Sequence, residues 1–284
     1  MNAGGREGAN AGGREAVNSG GREGANAGTG LDPGLRRDLF RYVLGLADDA
    51  LILAQRTGEW TSNAPELEED VALANIALDL LGQARRLLSH AGELEGAGSD
   101  EDALAYLRDE REFLNVQLVE LPNGDFGQSI IRLLFFSSYQ YELYRRLADS
   151  TDPVLAAIAA KAVKEVAYHR DHAARWTIRL GDGTPESHRR VQAAFDELWP
   201  YTHELFRADG VVERLVGSGL AILPSSLRSD WSSTVDAVRS EATLALPETS
   251  WEPAGGRNGS HTESMGRLLA DLQYLHRAHP GARW

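Results

Sequence analysis

Leu73-Ala74-Asn75-Ile76-Ala77-Leu78-Asp79-Leu80-Leu81-Gly82-Gln83-Ala84-Arg85-Arg86-Leu87-Leu88 is the stretch on which the fold turns. Leu73, Ile76, Ala77, Leu80, Leu81, Ala84 and Leu88 recur at helical intervals and make one broad apolar stripe. The pattern predicts a helix from Glu66 to about Ala91. Upstream, Asp32-Pro33 supplies a cap and a first-turn proline for a helix reaching about Arg56, and Thr57 to Pro65 makes a tight link. Downstream, residues 92–124 form a long acidic connection with short helical pieces, ending at Pro122-Asn123-Gly124. A third long helix is expected over Phe126–Ala148. A fourth is opened by Asp152-Pro153 and stopped by Gly181-Asp182-Gly183. Further helices fit 185–206, 209–217, 225–244 and 261–278, and no β-alternation of useful length occurs. Two long hairpins joined by a long crossover define an all-α, ferritin-like four-helix bundle with additional C-terminal helices.

Residues 1–30 read differently. NAGGREGA, NAGGREAV, NSGGREGA and NAGTG are a degenerate repeat, dense in glycine and almost devoid of apolar side chains large enough to pack. Such a segment cannot offset its ordering entropy, so a disordered tail is expected, followed by a single helical domain over 31–284.

The chain of 284 residues holds no cysteine, which excludes disulfides, thiolate metal sites and cysteine nucleophiles. No stretch approaches the roughly 20 apolar residues of a bilayer span, and the N-terminus lacks a basic-then-apolar signal. A cytoplasmic protein with no membrane role is expected. The formal net charge of −13, without a basic stripe, argues against nucleic acid.

A di-iron bundle takes a carboxylate from each of two helices and a Glu-x-x-His pair from each of the other two. No intact pair of that kind is present. Lys164-Glu165-Val166-Ala167-Tyr168-His169 has valine three residues before its histidine, and Leu80-Leu81-Gly82-Gln83 ends in glutamine. Asp79 with Gln83, and Glu165 with His169, are i, i+4 pairs on helices expected to face each other. They are read as a metal-free polar network, or else as side chains turned to solvent. His169 and His172 share a face with Glu165, a chance-level zinc pattern. Phe135, Phe136, Tyr139, Tyr141 and Tyr144 read as core and interface, and the Arg85-Arg86 and Arg145-Arg146 pairs as solvated faces.

Several ordered segments together resemble the subunits of the phenylacetyl-CoA epoxidases. They are Gly58-Glu59-Trp60-Thr61-Ser62-Asn63-Ala64-Pro65-Glu66-Leu67-Glu68, Asn75 to Arg85, Lys164 to His169, Arg108 to Asn115, Leu121-Pro122-Asn123-Gly124, His203-Glu204-Leu205-Phe206 and Gln273-Tyr274-Leu275. The resemblance covers about residues 37–284 and is nearest to the structural C subunits. Set beside the catalytic A subunits, it implies that Leu80 and Val166 stand where the motif glutamates would be and Gln83 where a histidine would be. His169 is then the one survivor, and the helix-one ligand falls at or near Ala50, next to Asp49. The resemblance implies a chain without catalytic or metal-binding residues and without a cofactor of its own. It implies di-iron in a partner catalytic subunit, NADPH delivered through a reductase with flavin and an iron–sulfur centre, and phenylacetyl-CoA near the subunit junction. Glu112, Phe113, Leu114 and Asn115, and more weakly Glu213, Arg214 and Leu215, are the positions where it suggests substrate contact. Two other readings stay open: an autonomous di-metal oxidase or hydroxylase, and a scaffold that never touches substrate.

Overall fold

The computed structural model describes Met1 and residues 31–282, so the expected tail lies outside the described residues apart from its first. Asp32–Trp284 is one compact unit. Ten α-helices and no strand occur among the described residues. Helix α1 (Pro33–Gly58) starts where the Asp32 carboxylate accepts from the Gly34 and Leu35 amides, and α2 (Leu67–Glu95) ends on Gly96, whose φ of 71° provides the left-handed cap. The crossover holds α3 (Glu101–Tyr106), a 3-10 turn over Glu110–Glu112 and α4 (Gln117–Glu120). Helix α5 (Phe126–Leu147) is followed by α6 (Pro153–Gly181), whose Asp152 cap accepts from Leu155 N at 2.7 Å.

Helix α1 packs along α2, α5 packs along α6, and α2 meets α6, so two hairpins form the bundle. Helix α5 lies at its centre and is buried on nearly every face from Ser129 to Gln140. Burial on this scale supplies the main stabilisation, at about 25 cal/mol per Å² of apolar surface. Helices α7 (Pro185–Leu198) and α9 (Arg228–Glu241) pack on α5 and α6, α8 (Gly210–Gly217) on α1, and α10 (Glu263–Ala278) on α3 and α4. Trp231 of α9 donates to Phe135 O at 2.9 Å, and Phe135 stacks edge-on to Phe195 of α7. Gly181 ends α6 against the end of α9, because a Cβ there would sit 2.3 Å from Ala242 O.

Three expectations need correction. The helix expected over 185–206 stops at Leu198. Pro200 cannot donate to the ladder, and residues 199–206 tighten into 3-10 turns. Residues 224–227 form a further 3-10 turn, and the helix expected from 225 begins at Arg228. Leu81 does not belong to the core stripe of α2. It is exposed, and Leu87 takes the buried place. No helix of the described residues is long and apolar enough to cross a membrane.

Candidate functional site

Leu80 of α2 and Val166 of α6 are fully buried, and neither carries a donor atom. Around them the helices exchange two polar contacts. Gln83 Nε2 donates to Glu165 Oε2 at 3.0 Å, and His169 Nε2 lies 3.1 Å from Asp79 Oδ2. Gln83 and His169 are buried, whereas the Asp79 and Glu165 side chains are 38% and 23% exposed, so both carboxylates keep some hydration. Lys161 Nζ approaches Glu165 at 3.5 Å. The four residues singled out in the sequence therefore meet as two cross-helix pairs.

Helix α5 extends this arrangement inward through a residue the sequence left unassigned. Gln140 Nε2 donates to Gln83 Oε1 at 3.2 Å and to the Tyr144 hydroxyl at 3.3 Å. Burial pushes the Tyr144 phenol well above its ordinary range, so it stays neutral. His172 Nε2 lies 3.2 Å from Glu69 rather than joining His169, and burial holds its pKa below the ordinary histidine value. Among the described residues no three of His, Asp and Glu gather so that they could hold a metal ion. The donor set does not fit a di-iron centre: leucine and valine supply no ligand, and an amide is a poor substitute for imidazole or carboxylate. What remains can hydrogen-bond across α2 and α6 but forms no metal cage among the described residues.

On α1, Asp49 beside Ala50 is engaged with the C-terminal segment. Asp49 is buried and accepts from Arg257 Nη2 at 2.6 Å and from Val116 N at 2.9 Å. Arg257 Nη1 also donates to Gly45 O and Leu114 O, so one guanidinium from the C-terminal segment ties α1 to the crossover. Burial pushes the Asp49 carboxyl up to about 6, against the pull of Arg257 and the Val116 amide. A second buried pair lies nearby: His261 Nδ1 donates to Glu120 Oε2 at 2.7 Å and Nε2 to Phe113 O at 2.9 Å, both side chains being fully buried. With both ring nitrogens facing acceptors, the imidazole is held protonated. Glu204 gathers three backbone donors, Gln117, Gly255 and Gly256, at 2.7 to 2.9 Å.

These anchors shape a cleft of about 300 Å³ whose walls include Tyr42, Leu46, Leu114, Tyr139, Val212 and Arg257. The two segments suspected of substrate contact converge here, though through few of the named residues. Leu114 lines the cleft, and α8 contributes Val211 and Val212. Phe113 and Asn115 are fully buried, and the Asn115 amide donates to Glu120 and Val116 O. Glu112 folds back onto Asp109 N at 2.7 Å, which closes a local turn. Glu213 is exposed, Leu215 is buried, and Arg214 pairs with Asp38 at 2.6 Å on the surface.

Fold and site together define a ferritin-like helical bundle in which Leu80 and Val166, both without donor atoms, are buried and two polar pairs join α2 to α6 beside them. The chain belongs to the family of phenylacetic acid catabolic proteins, which matches residues 26–284. It is 50% identical over 246 residues to the C subunit of 1,2-phenylacetyl-CoA epoxidase from Escherichia coli (strain K12), covering 87% of this chain and 99% of that protein.

Proposed function

We propose that this chain is the non-catalytic, structural C subunit of a phenylacetyl-CoA 1,2-epoxidase and acts in phenylacetate degradation. The observation that carries the reading is the pair Leu80 and Val166, buried and donorless at the two places where the bundle would need carboxylates. The relative to which it is 50% identical over 246 residues is named as a subunit of that epoxidase. In this reading a partner catalytic subunit holds the di-iron centre, and NADPH electrons arrive through a flavin and iron–sulfur reductase. The present chain stabilises the catalytic subunit and helps complete the thioester site.

The cleft is the part of this chain best suited to the second task. Its walls mix apolar side chains with polar ones, and Arg41, Arg207 and Arg257 lie around it together with Glu204 and Asp209. Of the residues first suspected, Leu114 is the one with a place in it; Asn115 and Leu215 act through the packing behind it.

Co-purification tests the main claim. A tagged form of this chain, expressed with the catalytic subunit, should retain it at a fixed ratio through size-exclusion chromatography; elution of the two as separate species would overturn the reading. For the cleft, Val212→Asp should raise KM for phenylacetyl-CoA about tenfold in the assembled enzyme and leave kcat unchanged. An unaltered KM would remove the cleft from the substrate path.

A further inference from the structure

None of residues 245–255 is buried, although Leu244 and Gly256 on either side are. The two ends of this segment are fixed. Gln192 of α7 accepts from Ala245 N at 2.7 Å and donates to Ala245 O, and Glu204 accepts from Gly255 N and Gly256 N. Between those ends, no backbone–backbone hydrogen bond among the described residues involves residues 245–254. Surface side chains hold the middle. Glu252 pairs with Arg207 at 3.1 Å and with His203 at 3.3 Å, and the Trp251 ring stands edge-on to Tyr201 at 5.3 Å. Arg207, Glu252 and Trp251 are 50%, 46% and 56% exposed. Ion pairs so exposed contribute little, and a segment without buried side chains or backbone pairing opens more readily than the helices it joins.

The segment borders the cleft beside α8. Ala254 and Gly255 form part of the cleft wall, and so does Arg207, the residue on which Glu252 closes. Displacing the segment takes away one wall and releases the Arg207 guanidinium in the same movement. Gly255 suits the pivot, because its φ of 126° is a conformation that residues with side chains rarely adopt. Farther along, residues 245–249 border an open hollow against His188, Gln192 and Asp196 of α7, which leaves them room to move. We propose that residues 246–254 are a strap across the mouth of the cleft: Glu252 and Trp251 latch it shut, and it swings about Gly255 to admit the ligand. That the ligand is a coenzyme A thioester rests on the reading under Proposed function; the movement itself does not.

The full chain has no cysteine, so thiol chemistry can be directed to chosen sites. Spin labels on Glu197→Cys/Ser250→Cys, both exposed positions, should report two separations between α7 and the strap. Adding Glu252→Gln should raise the wider population about threefold, as loss of a half-exposed ion pair allows, with an unchanged melting temperature. A single separation that Glu252→Gln leaves unaltered would overturn the strap. The gating role is tested by bridging Tyr201→Cys/Trp251→Cys with a short bifunctional maleimide on the isolated chain, before assembly with the catalytic subunit. The bridged protein should lose about tenfold in kcat/KM for phenylacetyl-CoA relative to the same protein left unbridged. Equal values for the two forms would mean that the strap does not gate the cleft, and the inference falls. If the wild type neither assembles nor turns over, the functional reading has failed, and the spin-label separations still decide whether the strap moves.

Discussion

Gln83 holds Glu165 with its amide nitrogen and receives Gln140 on its oxygen, so truncating it removes one contact from each of two partners. Gln83→Ala should cost about 1–3 kcal/mol, most of it because the buried Gln140 amide is left with the Tyr144 hydroxyl alone. Urea unfolding checks this, and Gln83→Glu offers a contrast because it sets a second carboxylate against Glu165. His261 gives a pH-dependent counterpart. Burial alone would lower its pKa, but the hydrogen bond and charge of Glu120 and the Phe113 carbonyl outweigh it and raise the value above 6.5. A histidine raised in the folded state contributes stability that is fully present below its unfolded pKa and lost as pH rises through its folded one. The wild-type melting temperature should therefore fall above about pH 6.5, and His261→Gln should be less stable below that point with a flatter profile. A wild-type profile as flat as the variant's would contradict the pairing. Leu80, Gln83, Val166 and His169 were legible in the sequence because one turn of helix fixes how they share a face. Gln140 was not, since α5 is buried almost all round there and its pattern offers no polar contrast. Nor was His261 with Glu120, whose partners are 141 residues apart in the chain.

At the scale of elements, the segment from Gly255 to Thr262 fastens the C-terminal part to α1 and the crossover. Gly256 reaches Asn115 so closely that a Cβ would lie 2.1 Å from its carbonyl oxygen, which places the Arg257 guanidinium beside Asp49. Arg257→Met should cost about 3–5 kcal/mol, because it leaves the Asp49 carboxylate buried without its partner. Asp49→Asn in the same chain should recover part of that loss, and a double-mutant cycle by thermal or urea unfolding reads the coupling. An Arg257→Met protein as stable as wild type would show that the strap contributes nothing. The four long helices could be read from periodicity and from the Asp32 and Asp152 caps. The 3-10 turns could not be separated from the helices they adjoin, although Pro200 and Pro224 mark both places. Assigning Leu81 to the core failed for a related reason. Two apolar faces on α2 blur into one broad stripe when only hydrophobic positions are counted, and the outward one emerges once burial separates them.

At the scale of the molecule, an intact bundle buries Leu80 and Val166, which carry no donor atom, and an apolar face of α2 remains bare. In the proposed reading, a bundle that keeps its packing with Leu80 and Val166 buried inside supports a related catalytic bundle. The family and the absence of an intact Glu-x-x-His pair were legible in the sequence. The outer face of α2 and the cleft beside α8 depend on how segments far apart in the chain come together. The most direct test is turnover of phenylacetyl-CoA, with reductase, NADPH and dioxygen supplied, by the iron-treated chain alone and by the chain with its catalytic partner. A non-catalytic subunit gives no epoxide alone and full turnover when the partner is added. Epoxide formation by the isolated chain at a rate comparable to the assembled enzyme would contradict the assignment.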